Sequence, residues 1–130
     1  MPARNSPRWS SGCSSLSLAV NSLWAAFGHA FLTKIVARSI GWEPSPFQHE
    51  IAGANLGIGL GAIAAAVLGK GAAWAMFFMA VSFLWSAAAA HIRDIVERGN
   101  FAPSNAGPIF WWDILTPLTL LIGLLLGRSP

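Results

Sequence analysis

The fold class that the sequence predicts is all-α: a four-helix transmembrane bundle running up-down-up-down, with both termini on the same side. Three observations predict it. Four apolar stretches, at about 16–37, 47–68, 71–92 and 109–127, each approach the ~20 residues that cross a bilayer at 1.5 Å per residue. Hydrophobic residues make up 55% of the chain and charged residues only 10%, against roughly 25% charged in soluble domains, too little polar material to coat a soluble exterior. The connections left over are short, so consecutive crossings alternate in direction. Residues 16–127 read as one membrane domain and residues 1–15 as a flexible tail rich in Ser, Pro and Arg.

The net charge of +3 comes from Lys and Arg spread over tails and helix ends, with no basic run. That distribution fits anchoring at a bilayer surface and argues against nucleic acid as a partner. Cys13 is the only cysteine, so no disulfide can form within the chain. The first apolar stretch follows Arg4 and Arg8 as a signal peptide would. It is long for one and carries Asn21 and His29, so it reads as a retained crossing.

The first crossing ends in Lys34 and Arg38, whose stems can reach back to headgroups. Pro44 and Pro46 then force an extended or turned connector, in which Trp42 is placed like an interfacial belt residue. The second and third crossings join through Gly69, Lys70 and Gly71 as a tight hairpin. The third runs on past its apolar zone, with Asp94–Arg98 and Arg93–Glu97 spaced one turn apart in a solvated end. Gly99 fits the stop of that helix and Pro108 the start of the fourth. Asn55 is expected to hydrogen-bond across to another helix.

Alternation puts both long connectors on one side, termed the loop face. All five carboxylates, Glu43, Glu50, Asp94, Glu97 and Asp113, belong to that half. The basic residues divide evenly, Arg4, Arg8, Lys70 and Arg128 against Lys34, Arg38, Arg93 and Arg98, and the rule that counts basic residues inside returns a tie.

Gly53, Gly57 and Gly61 recur every four residues on the second crossing. Such a stripe lets another backbone approach closely, so it is expected to pack against a helix of the same chain; a homodimer or larger membrane complex through it stays open. The ionisable residues His29, Glu50, His91 and Asp113 each share a helix side with small residues and lie in the loop-face half. They are expected to converge within roughly 10 Å as a polar pocket with a His–carboxylate pair, because charges inside a bilayer need shielding and partners. Pro117 has no N–H to give the Asp113 carbonyl, which predicts a free oxygen there. His49 points about 100° away from Glu50 and is expected at the interface.

The runs Ser39-Ile40-Gly41-Trp42, Ser45-Pro46-Phe47-Gln48-His49-Glu50 with Ala54-Asn55-Leu56-Gly57, and Gly99-Asn100-Phe101-Ala102-Pro103-Ser104-Asn105-Ala106-Gly107-Pro108 with Asp113 carry a resemblance. The chain resembles an uncharacterised family of small four-helix bacterial integral membrane proteins, from about His29 onward, with the N-terminal tail outside it. The resemblance implies a multi-pass protein of the bacterial inner membrane and brings no activity, cofactor or metal with it.

Three functions compete on the residues. The first is a small binding or accessory protein with its His/carboxylate pocket near the loop face. The second is a membrane-embedded redox enzyme using the same four residues around a metal or quinone, and the third a structural subunit docked through the glycine stripe. No phosphate loop, zinc-ligand spacing or nucleophile motif appears to decide between enzyme and non-enzyme. The topology has a direct check. Reporter fusions after Gly69 and after Arg128 should report one side of the membrane, and a fusion at Ser104 the other. Agreement between the Gly69 and Ser104 fusions would remove the third crossing.

Overall fold

In the computed structural model, residues 9–126 are described, with side chains from Ser14 onward. The described residues are helical, without strands: α1 (Trp9–Phe31), α2 (Thr33–Ile40), α3 (Phe47–Leu68), α4 (Lys70–Arg98), α5 (Pro103–Ala106) and α6 (Pro108–Leu126). Helix begins at Trp9, so residues 9–15 continue α1 where a tail is expected, and Cys13 falls in its backbone. Arg4, Arg8, Gly127 and Arg128 lie outside the described residues.

Three helical stretches, Phe47–Leu68, Lys70–Arg98 and Pro103–Leu126, are long and apolar enough to cross a membrane. A fourth is counted if Ser14–Phe31 and Thr33–Ile40, bent by 108° at their break, form one span. Large apolar side chains cover the outside, among them Trp24, Phe31, Val67, Phe78, Val96 and Leu125. A surface so rich in exposed apolar groups suits lipid, where it faces no water, and is consistent with a membrane protein.

The predicted crossing at 16–37 is broken at Leu32, a correction with a local cause. The Thr33 hydroxyl donates to the His29 carbonyl at 3.4 Å, competing for the oxygen that the next helical N–H would use. The chain then turns so sharply that a Cβ on Gly28 would stand 3.3 Å from the Val36 side chain. A small residue at the crook makes room for the fold-back.

Glycines end α2 and α4 as left-handed caps. Gly41 takes φ +82°, with its N–H on the Arg38 carbonyl and that of Trp42 on the Ala37 carbonyl. Gly99 takes φ +63° and closes α4 in the same way, so the expected stop is met. The α3–α4 hairpin turns on Gly69 alone, at φ +95°, and Pro108 opens α6, which continues through Pro117.

α1 packs chiefly on α3, α4 on α6, and α3 on α4. Their shared core is small-residue rich: Leu18, Ala19, Ile58, Ala62, Ala65, Ala80 and Leu120 lie within it. Where water gives no drive between helices, such small residues let backbones approach and dispersion hold them. The glycine stripe is corrected in register. A Cβ on Gly53 or Gly57 would meet nothing within 4 Å, whereas one on Gly59 would stand 2.8 Å from the Leu23 side chain and 3.3 Å from its backbone nitrogen. Gly61 does pack, against the Met76 sulfur. Asn55 is corrected too, because it donates to the Ile51 carbonyl of its own helix.

Gly59→Leu should therefore lower thermal stability in detergent by an amount of order 1–3 kcal/mol, through overpacking against α1. Gly57→Leu should leave the unfolding midpoint of the monomer unchanged. A reversed ranking would restore the Gly57 side as the internal contact.

Candidate functional site: a buried imidazole–carboxyl pair under Trp42

His91 lies two turns before the end of α4 and is buried. Its Nδ1 is 2.6 Å from the Asn105 Oδ1. The Asn105 amide nitrogen donates to the Asn100 carbonyl at 2.7 Å, and this assigns Oδ1 as the atom facing the ring. Nδ1 therefore carries a hydrogen and donates it, which leaves Nε2 to face Asp113 of α6. Nε2 and the Asp113 Oδ2 are 3.6 Å apart, both side chains being buried. At that distance the two atoms face each other as a close polar pair.

Aromatic rings fix the imidazole on two sides. Trp42 stacks on it with centroids 5.9 Å apart, and Phe110 meets it edge-on at 6.5 Å. The Trp42 indole N–H donates to the Asp94 Oδ2 at 2.9 Å. Asp94 also accepts from the Asn100 amide and pairs with Arg98 at 3.3 Å. Trp42 is half-buried and clamps His91 to Asp94, and Asp94 is buried where a solvated turn is expected. Arg93 and Glu97 do form the exposed i,i+4 pair, at 2.9 Å. On the outer side, Trp42 lines an open pocket of about 530 Å³ with Gly41, Glu43, Arg93, Asp94 and Arg98.

Of the four residues expected to converge, the structure pairs two, His91 and Asp113. His29 finds another partner: its Nδ1 hydrogen-bonds the Oε1 of the buried Gln48 on α3. Glu50 is exposed and pairs with neither imidazole. Gln48 and Glu50 are two residues apart and so about 200° apart on a helix. Turning Gln48 inward to α1 necessarily turns Glu50 out. His49 is exposed, as expected.

Gln48, Asn100 and Asn105 are the polar residues that reading by charge misses. A signal for the two asparagines exists in the sequence. Both stand in a connector bounded by Gly99 and Pro108, where amides commonly bond local backbone. Among the described residues, no group of three or more His, Cys, Asp or Glu side chains is placed to hold a metal ion. His91 and Asp113 would supply two ligands, and no third stands beside them.

The chain belongs to a family of unknown function (DUF6790), whose profile matches residues 5–129. The match takes in most of the N-terminal segment that the resemblance leaves outside. No curated protein and no solved structure gave a match.

Asn105→Ala should destabilise the fold by about 1–3 kcal/mol, the cost of leaving buried groups without partners, since the His91 Nδ1–H and the Asn100 carbonyl both lose theirs. Glu50→Ala, an exposed position, should stay within about 0.5 kcal/mol of the parent. Thermal unfolding in one detergent measures both, and equal shifts would break the account of which polar residues are structural.

Proposed function

We propose that the chain is a multi-pass protein of the bacterial inner membrane, crossing four times with both termini on one side, and that it is a small binding or accessory protein. Its functional centre is the His91–Asp113 pair, reached from the loop face through the pocket that Trp42 lines. The observation that carries this reading is the pair's setting: a buried imidazole held in one tautomer by Asn105, opposite a buried carboxyl, behind an aromatic wall shared with an open pocket. Burying two ionisable groups is unfavourable unless geometry and hydrogen bonds compensate, and a well-packed apolar pair would hold helices at least as firmly. Ionisable residues at membrane depth mark sites more often than scaffolding. The ligand class that fits is a small polar or charged molecule, because the pocket rim carries Glu43, Arg93, Asp94 and Arg98.

A second reading, a subunit docked in a homodimer or larger membrane complex, is favoured by one feature. Gly53 and Gly57 present an exposed strip of α3 with open space above it. The two readings differ in which residue matters.

The experiment is native mass spectrometry of full-length protein extracted with its surrounding lipid. The parent should carry a small non-lipid molecule whose occupancy falls at least about tenfold, 1.4 kcal/mol, in His91→Gln and in Trp42→Ala and is unchanged in Gly57→Leu. Identical bound species in parent and His91→Gln would overturn the binding reading. A shift from dimer to monomer mass in Gly57→Leu alone would favour the subunit.

A further inference from the structure

α2 leaves the line of α1, and among the described residues its Lys34 and Arg38 make no ion pair. α1 spans 23 residues, about 34 Å at 1.5 Å per residue, which exceeds the ~30 Å hydrocarbon thickness. By composition its described part qualifies as a span only together with α2, yet the break at Leu32 turns α2 out of its line. α2 departs from it at 108°, close to perpendicular, so an upright α1 lays α2 along the membrane surface on the loop face.

The two sides of α2 differ sharply. Ala37 and Ile40 are buried, and the Ile40 carbonyl accepts the Asn100 amide at 2.8 Å. Leu32, Lys34, Ile35 and Arg38 are exposed on the outside, with Phe31 of α1 beside them. Lys34 and Arg38 are four residues apart and so lie on one side of the helix. The other loop-face cations are neutralised, Arg93 by Glu97 and Arg98 by Asp94. Lys34 and Arg38 face no carboxylate at ion-pair distance among the described residues, and α2 itself contains none.

We infer that α2 is an in-plane anchor whose outer side binds the phosphates of anionic phospholipids, through Lys34 and Arg38, while Phe31, Leu32 and Ile35 enter the headgroup–acyl boundary. Apolar and basic groups alternate along this side, as a surface lying in the interface requires. The guanidinium of Arg38 can take two phosphate oxygens at once, and Lys34 adds a point charge on a flexible stem. Continuity with the lipid-facing side of α1 through Trp24, Phe27 and Phe31 favours lipid over a second copy or another protein. The inference rests on the membrane reading of the chain and is independent of any ligand at His91.

The test uses full-length protein in nanodiscs of phosphatidylcholine doped with phosphatidylglycerol, with retained lipids counted by native mass spectrometry. The double variant Lys34→Gln/Arg38→Gln should hold at least about tenfold less phosphatidylglycerol than the parent, from the attraction each basic residue contributes near an anionic surface. Lys34→Arg, which keeps the charge, should match the parent. Depth is read separately, with charges intact, by a bimane label at Ile35→Cys in a Cys13→Ser background. Headgroup-attached quenchers should quench it, whereas the same label at Glu97→Cys should respond mainly to aqueous iodide. Equal lipid retention in all variants, displacement of the lipid by inorganic phosphate, or an Ile35 label as water-exposed as that at Glu97 would each overturn the inference. So would a change of oligomeric mass in the double variant, which would give the surface to a second copy. Loss of the small molecule at His91 leaves these results untouched, so the two proposals fail separately.

Discussion

The loop face depends on the Asn100 side chain. Its amide nitrogen donates to the Ile40 carbonyl and to Asp94, its oxygen accepts the Ala102 N–H at 3.0 Å, and its own carbonyl receives Asn105. One residue thereby joins the end of α2, the last turn of α4 and the start of α5. The contact with α2 requires Gly41, because a Cβ there would stand 2.6 Å from the Asn100 oxygen. At the edge of a bilayer an unsatisfied carbonyl or amide has little water to turn to, so a connector must satisfy its own polar groups. Among the described residues, no buried side-chain nitrogen or oxygen lacks a partner.

That hub sets the chemistry one step further in. Asn105 is held from its nitrogen side, so its oxygen must point at His91. The imidazole is then committed to donating from Nδ1, and Nε2 is committed to Asp113. Orientation passes from a loop amide to a helix imidazole, whose Nε2 then faces a carboxyl on another helix. Trp42 takes part twice, through its ring on His91 and its N–H on Asp94. A change in the pocket that moved Trp42 would disturb both contacts together, and so would be felt at the buried pair.

The legible parts of the fold are those with local causes. Apolar runs placed α3, α6 and the start of α4 within a residue or two, because a helix in lipid must be apolar nearly throughout; α4 itself runs six residues beyond its apolar run, to Arg98. Gly99 and Pro108 marked ends through backbone chemistry that any reading of the chain can use. The break at Leu32 carried neither proline nor glycine, and the Thr33 hydroxyl that competes for the His29 carbonyl is ordinary in a helix. The register of α3 was illegible for a different reason. Its apolar residues surround the whole helix, so no stripe says which side is inside. Gly53 and Gly57 therefore could not be told from Gly59, nor Glu50 from Gln48, until α1 was placed against Leu23 and His29. His91 and Asp113 were found because charge inside an apolar run is conspicuous; the neutral amides that orient them are not.

The distribution of charge on the loop face follows from the same constraint. Arg93 and Arg98 sit in the last turns of α4, beside carboxylates one helical turn away, and their pairing holds the helix end in place of a lipid contact. Lys34 and Arg38 stand on a helix with no acid and with its inner side already taken up by Asn100. Equal numbers of basic residues on the two sides left the orientation open in the sequence. Among the described residues, two of the four loop-face cations pair with a carboxylate, and Lys34 and Arg38 do not. Counting charge alone cannot make that division, because pairing depends on which helix carries the carboxylates.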